Sequence, residues 1–123
     1  MNEAEKKFKC WLDQRNYSYL YIDQSLPSFA EFFRNITKRP DFLMVVNGIG
    51  FIAVDVKEKY PHPDYGNYIL DESDEVEKYL QFERITRLPV WFVFGSKKDN
   101  YNTWNWASLS KVLENGVREP CGL

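Results

Sequence analysis

The centre of the sequence predicts a β-hairpin that carries charged residues at its open end. Two apolar runs, Phe42 to Val46 and Phe51 to Val54, are separated by the turn-forming sequence NGIG. Asparagine and glycine tolerate the positive φ angles of tight hairpin turns. Asp41 precedes the first run, and Asp55 and Lys57 follow the second. Because the strands of a hairpin are antiparallel, we expect these three charged side chains to meet at one end of a sheet.

The order of residues in the second strand predicts which side chains share a face. Side chains alternate along a strand, so Asp55 and Lys57 lie on the same face as Phe51 and Ala53. The other face is entirely apolar and consists of Ile52, Val54 and Val56. Apolar residues on both faces are typical of a strand that is covered on both sides. Charges at the end of such a strand therefore indicate a site at the rim of the core.

The chemistry of these residue types suits phosphate chemistry assisted by a metal ion. Two carboxylates are ligands that a hard cation such as Mg²⁺ prefers. A neighbouring lysine can position a water molecule or stabilise charge on a phosphate. An alternative is a small α/β structural or regulatory domain in which Asp41 and Lys57 form only a salt bridge. Carboxylates on opposite faces of the sheet would support that alternative.

The charged residues also follow a known pattern. Pro40-Asp41, followed by Asp55-Val56-Lys57 on the next strand, resembles the signature of the PD-(D/E)XK nuclease superfamily. This superfamily includes the restriction-endonuclease-like folds and the archaeal Holliday-junction resolvases. The resemblance covers roughly residues 3 to 95. It implies an α/β fold with a three-layer core in the order αβββαβ, in which helices flank a mixed sheet of four to five strands.

The resemblance further implies a nuclease that hydrolyses phosphodiester bonds, most commonly in DNA. Asp41 and Asp55 would hold Mg²⁺ or Mn²⁺ with the carbonyl of Val56, and Lys57 would complete the catalytic set. Many members act as dimers, so a homodimer is an expectation by analogy. A catalytically inactive module that keeps the nuclease fold and binds nucleic acid or protein is the alternative.

Two further catalytic candidates rest on the same resemblance. Relatives often place a Gln or Lys on the second core helix beside the catalytic lysine, and Gln81 resembles that position. Many members add an acid from the first helix to the metal, and Glu5 is the better placed of the two glutamates there. The alternatives are an ordinary surface glutamine at Gln81 and a solvated glutamate at Glu5.

Basic and aromatic residues outside the hairpin are candidates for nucleic-acid binding. The basic candidates are Arg39, Lys59, Lys97 and Lys98, with Arg34 and Lys38 also preceding the first strand. Trp104 and Trp106 would stack on unpaired bases or on a partner, or would pack in the core or in a dimer interface. The single histidine, His62, is interpreted as a loop residue between two prolines, and a general base is the alternative.

Composition sets the outer limits. The chain has 123 residues, 44% of them hydrophobic, which predicts a single folded domain over 1–123. The formal net charge of −2 counts against a strong nonspecific nucleic-acid binder. Two cysteines and one histidine do not give a zinc spacing. No apolar run approaches a membrane span and the first residues lack a signal core, so we expect a cytoplasmic protein that does not contact a membrane.

Hydrophobic periodicity and breaker residues predict the remaining elements. They are a helix over 3–16, a strand over 17–23, an ambiguous stretch over 24–38, the hairpin, a loop over 58–70, a helix over 73–87, a strand over 89–94, an edge strand over 102–106 and a final helix over 107–114.

Overall fold

The computed structural model of the chain describes residues 1–22, 38–59 and 73–115. Its elements are α1 (Glu3–Gln14), β1 (Tyr19–Tyr21), β2 (Phe42–Val46), β3 (Gly50–Glu58), α2 (Ser73–Thr86), β4 (Val90–Gly95), a 3₁₀ turn (Lys97–Asp99), β5 (Asn105–Ser108) and α3 (Leu109–Asn115). Their order confirms the predicted αβββαβ core. No helix in these three ranges is long and apolar enough to cross a membrane.

Within the described residues, the strands form one mixed sheet in the order β1-β2-β3-β4-β5. The pair β3 and β4 is parallel, and the other neighbours are antiparallel. The predicted hairpin is confirmed: Phe42 pairs with Val54, and Val46 pairs with Gly50 across the turn. Gly48 and Gly50 adopt the positive φ angles that this turn needs, 83° and 106°. The register places the start of β2 beside Val54, in the middle of β3, so that Asp41 comes next to the segment that contains Asp55.

Helix α1 covers one face of the sheet. Phe8 and Leu12 are completely buried, and the Phe8 ring contacts the rings of Phe42, Trp104 and Trp106. Burial of such large aromatic groups supplies much of the favourable free energy of folding. Both tryptophans therefore pack against the core, which confirms the packing interpretation of these residues.

Helices α2 and α3 cover the other face. Tyr79 and Leu109 are completely buried there against Ala53 and Phe92. The apolar residues of β3 divide as the alternation predicted, because Ile52, Val54 and Val56 join the α1 side and Ala53 joins the α2 side. Asp55 and Lys57, which have the same parity as Ala53, therefore lie on the α2 face.

Most element boundaries differ from the predictions by a few residues, and three of the differences concern the end of α1, the start of β5 and the end of β3. Helix α1 ends two residues early, before Asn16, whose φ of 59° is left-handed. Strand β5 begins at Asn105, later than predicted, and it follows a turn in which Asn100 and Tyr101 have left-handed φ angles, 58° and 55°. Strand β3 continues to Glu58, where it still pairs with Gly95 of β4. The predictions for 24–37 and 60–70 lie outside the described residues.

Candidate active site

The hairpin brings Asp41 and Asp55 together at one end of the sheet. Asp41 stands immediately before β2, where its backbone N–H donates to the carbonyl of Val54 at 2.9 Å. Its carboxylate accepts a hydrogen bond of 2.8 Å from the backbone N–H of Val56. Both residues are buried, with Asp41 8% and Asp55 4% exposed. The two acids therefore share the rim of the core.

Burial makes this pair electrostatically unfavourable without a counter-cation. Loss of hydration and the negative charge of Asp55 raise the pKa of Asp41 to about 9, although the Val56 N–H opposes the rise. Asp41 is consequently protonated at neutral pH in the metal-free protein. A divalent cation bound beside the two carboxylates would offset this unfavourable environment.

One carboxylate oxygen of Asp55 has an ion-pair partner but no hydrogen bond within the described residues. Its Oδ2 lies 3.0 Å from the Nζ of Lys57, which is an ion-pair distance. No group in the described ranges meets hydrogen-bond geometry at this buried oxygen. Buried polar atoms are rarely left this way in folded proteins. The atom is thus placed to accept from water or to bind a cation.

Lys57 is held between two acids. Besides Asp55, its ammonium contacts the carboxylate of Glu75 in the first turn of α2. Burial alone would lower the pKa of Lys57, but Asp55 and Glu75 outweigh it and raise the pKa above its ordinary value. Lys57 therefore remains charged and fixed beside the two aspartates.

Glu75 is the site residue that the sequence analysis did not identify. It is 3% exposed and also pairs with Lys38, whose Nζ lies 2.8 Å away. Burial raises its pKa, but the two lysines more than compensate and lower the pKa overall. One helical turn later, the Tyr79 hydroxyl donates to the carbonyl of Arg39 at 3.3 Å. The spacing of Glu75 and Tyr79 directs both side chains to the same face of α2.

The two additional catalytic candidates have different surroundings. Glu5 is 9% exposed, so it is not the solvated glutamate of the alternative interpretation. Its backbone N–H donates to the Asn2 side chain at 2.8 Å, and its charge contributes to the raised pKa of Asp41. Glu5 therefore lies within electrostatic reach of the aspartates.

Gln81 is half-buried on α2, two residues after Tyr79. That spacing corresponds to a rotation of about 200° around the helix axis, which places Gln81 on a different face from Tyr79. Of these α2 residues, Glu75 is the one that contacts Lys57. A role for Gln81 stays a prediction.

The basic candidates lie at the same end of the sheet. Arg39 precedes Asp41, and Lys59 follows β3, where its backbone N–H donates to the carbonyl of Gly95 at 2.9 Å. Lys97 and Lys98 are exposed in the 3₁₀ turn that follows β4. Because β3 and β4 are parallel, their carboxyl ends meet at this rim. Binding of nucleic acid by these residues stays a prediction.

A mixed sheet in this order, with helices on both faces, defines a restriction-endonuclease-like α/β fold. Among solved structures, the chain is similar to Hjc, a Holliday junction resolvase from the archaeal hyperthermophile Archaeoglobus fulgidus. The TM-score is 0.59, with 87% of this chain and 75% of Hjc covered at 16% sequence identity. At that identity the likeness establishes the fold alone. No protein-family model and no curated protein matches the sequence.

Proposed function

We propose that the protein is a metal-dependent nuclease that hydrolyses phosphodiester bonds, with DNA as its substrate. The observation that carries this proposal is the buried pairing of Asp41 and Asp55 beside the charged Lys57. Nothing in the packing of a hydrophobic core favours three ionisable groups at that position. A site that binds a cation and a phosphate accounts for all three.

The residues present fit Mg²⁺ or Mn²⁺. Asp41 and Asp55 supply carboxylate oxygens, one of which lacks a hydrogen-bond partner among the described residues. The same residues contain no cluster of three or more acids, histidines or cysteines suited to a metal. Water and backbone carbonyls commonly complete a coordination shell that starts from one or two carboxylates. When bound, the metal would act as a Lewis acid on the phosphate and make water a better nucleophile.

Lys57 supplies a positive charge to the proposed site in addition to that of the metal ion. Its ammonium is fixed by Asp55 and Glu75, so it requires little reorganisation when the phosphate gains negative charge. Its role in the proposal is to orient the attacking water or to neutralise the charge that develops on the phosphate oxygens. Glu5 would add negative charge next to Asp41 and so favour cation binding.

The choice of DNA draws on the similar structure and on the charged rim. Hjc is a resolvase of Holliday junctions, which are branched DNA. The exposed Lys97 and Lys98, together with Arg39 and Lys59, are the proposed contacts to the backbone of the substrate. Action on both strands of a duplex would be served by a homodimer, which the proposal includes.

Purified protein incubated with plasmid, single-stranded and branched DNA tests this proposal. We expect Mn²⁺ or Mg²⁺ to support cleavage of at least one of these substrates, and chelation by EDTA to stop it. The Asp55→Ala variant is the control for contaminating nucleases and should be inactive. If the wild-type protein binds DNA but cuts none of the substrates, the module that binds without cutting is the better description.

A further inference from the structure

Two lysines from different parts of the chain contact one carboxylate oxygen. Lys38, which precedes β2, and Lys57, at the end of β3, both lie against Oε2 of Glu75. Because they share one atom, the two ammonium groups lie close together. Their mutual repulsion is offset by the carboxylate between them. Glu75 thus assembles a pair of positive charges that would otherwise separate.

This pair extends from the interior of the site toward solvent. The Glu75 side chain is 3% exposed, that of Lys57 is 20% exposed and that of Lys38 is 36% exposed. The buried carboxylate therefore fixes one lysine beside the aspartates and the other where a ligand can reach it. A buried ion pair contributes little net stability, so stability alone gives weak reason for the arrangement.

The hydrogen-bonding capacity of lysine allows a second anion to bind. An ammonium group has three N–H donors and no acceptor. Glu75 engages one donor of Lys38, so the same ammonium can hold a phosphate oxygen at the same time. Lysine is a common ligand for phosphate because it presents a compact point charge.

We propose that Lys38 is a substrate-binding residue that contacts a backbone phosphate, and that Glu75 is the positioning residue that holds it beside Lys57. This inference rests on the proposed function, because it assumes that the substrate is a nucleic acid with a phosphodiester backbone. It adds a phosphate contact outside the Asp41, Asp55 and Lys57 set. Lys38 acts by binding, and Glu75 acts only through the two lysines.

The salt dependence of DNA binding tests the role of Lys38. Binding of a fluorescein-labelled DNA duplex is followed by fluorescence anisotropy at several salt concentrations and a fixed Ca²⁺ concentration. Each phosphate contact contributes about one unit to the slope of log K against log salt. We expect Lys38→Ala to lower that slope by about one unit and Lys38→Arg to retain most of it. Lys9→Ala, which removes an exposed lysine paired with Asp13, should leave the slope unchanged.

The affinity of Glu75→Gln for DNA tests the role of Glu75, because a positioning role and simple loss of charge predict opposite changes. Glu75→Gln deletes a negative charge next to a polyanion, so charge alone would tighten DNA binding. If Glu75 positions Lys38, the variant should instead bind more weakly and with a smaller salt slope. Glu77→Gln, an exposed change on the same helix, is the matched control and should keep the wild-type slope. Thermal melting by circular dichroism verifies that each variant is folded.

The possible results separate this inference from the proposed function. An unchanged slope in Lys38→Ala, or tighter binding with an unchanged slope in Glu75→Gln, would overturn the inference even if the wild-type protein cuts DNA. If wild-type protein binds DNA with the Lys38-dependent slope but never cuts it, the nuclease proposal fails and the phosphate contact stands. Absence of DNA binding by the wild-type protein would overturn both.

Discussion

Asp55→Asn and Lys57→Ala should each reduce the rate of DNA cleavage in Mn²⁺ by at least about a hundredfold. Losses of that size are typical when one preorganised electrostatic partner of a reacting group is removed. Asp55→Asn keeps the shape of the side chain but removes a charge that the cation needs. Lys57→Ala removes the ammonium that Asp55 and Glu75 hold in place. The rate at saturating DNA is the quantity to measure, because the proposed interactions act on the transition state.

Lys57→Ala should be less stable than Asp55→Asn, so loss of activity must be distinguished from loss of folding. Lys57→Ala leaves the buried carboxylates of Asp55 and Glu75 with one cation fewer, so its melting temperature should fall. Circular dichroism at the assay temperature must show that it is folded. Asp13→Asn changes an exposed acid on α1 and should cut DNA at the wild-type rate. Cleavage by folded Asp55→Asn at a rate near that of Asp13→Asn would refute the assignment of the site.

Asp41→Asn should make the metal-free protein more stable at alkaline pH. The pKa of Asp41 is raised to about 9, so the folded state holds a proton that the unfolded state releases near pH 4. Between these values the unfolded chain binds fewer protons, and the free energy of unfolding decreases as pH rises. One such group removes up to about 1.4 kcal/mol per pH unit. Asparagine keeps the shape and an acceptor for the Val56 N–H but cannot ionise.

Thermal melting in EDTA from pH 5 to pH 9 measures this effect. The melting temperature of Asp41→Asn should exceed that of the wild type by a margin that grows with pH. Added Mg²⁺ should raise the melting temperature of the wild type, because it binds the folded state. The same addition should have much less effect on Asp41→Asn. A margin that is constant or shrinks as pH rises would contradict the proposed environment of Asp41.

The hairpin and its charged end were predictable because local signals there agree with one another. The Asn-Gly turn fixes the register, and alternation along β3 then determines the face of Asp55 and Lys57. The pairing Phe42 with Val54 carries Asp41 to the same end. Each step depends only on residues that are near in sequence or are paired by the turn. A single sequence contains that information.

Glu75 could not be predicted with the same logic. It stands in an acidic run that is typical of a solvated helix start. Its burial depends on how α2 lies across the sheet, and apolar residues around this helix do not define one buried face. The spacing of Glu75 and Tyr79 is the signal that marks the buried side, but only once Tyr79 is known to be completely buried. The burial of Glu75 is therefore determined by long-range packing, which local sequence patterns do not reveal.

The turn before β5 could not be predicted for a similar reason. Asn100 and Tyr101 adopt left-handed backbone angles without a glycine to signal a turn. The Tyr101 hydroxyl instead contacts the carboxylate of Glu58, a residue distant in sequence. The need for glycine at position 95 is also visible only in the structure, because a Cβ there would lie 2.3 Å from the ring of Trp104. These contacts are tertiary, and the sequence pattern does not contain them.

The most direct test of the central claim is a calorimetric titration of the purified protein with Mn²⁺. If Asp41 and Asp55 form a divalent-cation site, the wild-type chain should bind Mn²⁺ with release of a proton at neutral pH, because Asp41 must ionise. Proton release is measured by repeating the titration in buffers with different ionisation enthalpies. Asp55→Asn should bind Mn²⁺ much more weakly, and Asp13→Asn should behave as the wild type. Equal Mn²⁺ affinity in the wild type and in Asp55→Asn would contradict the account.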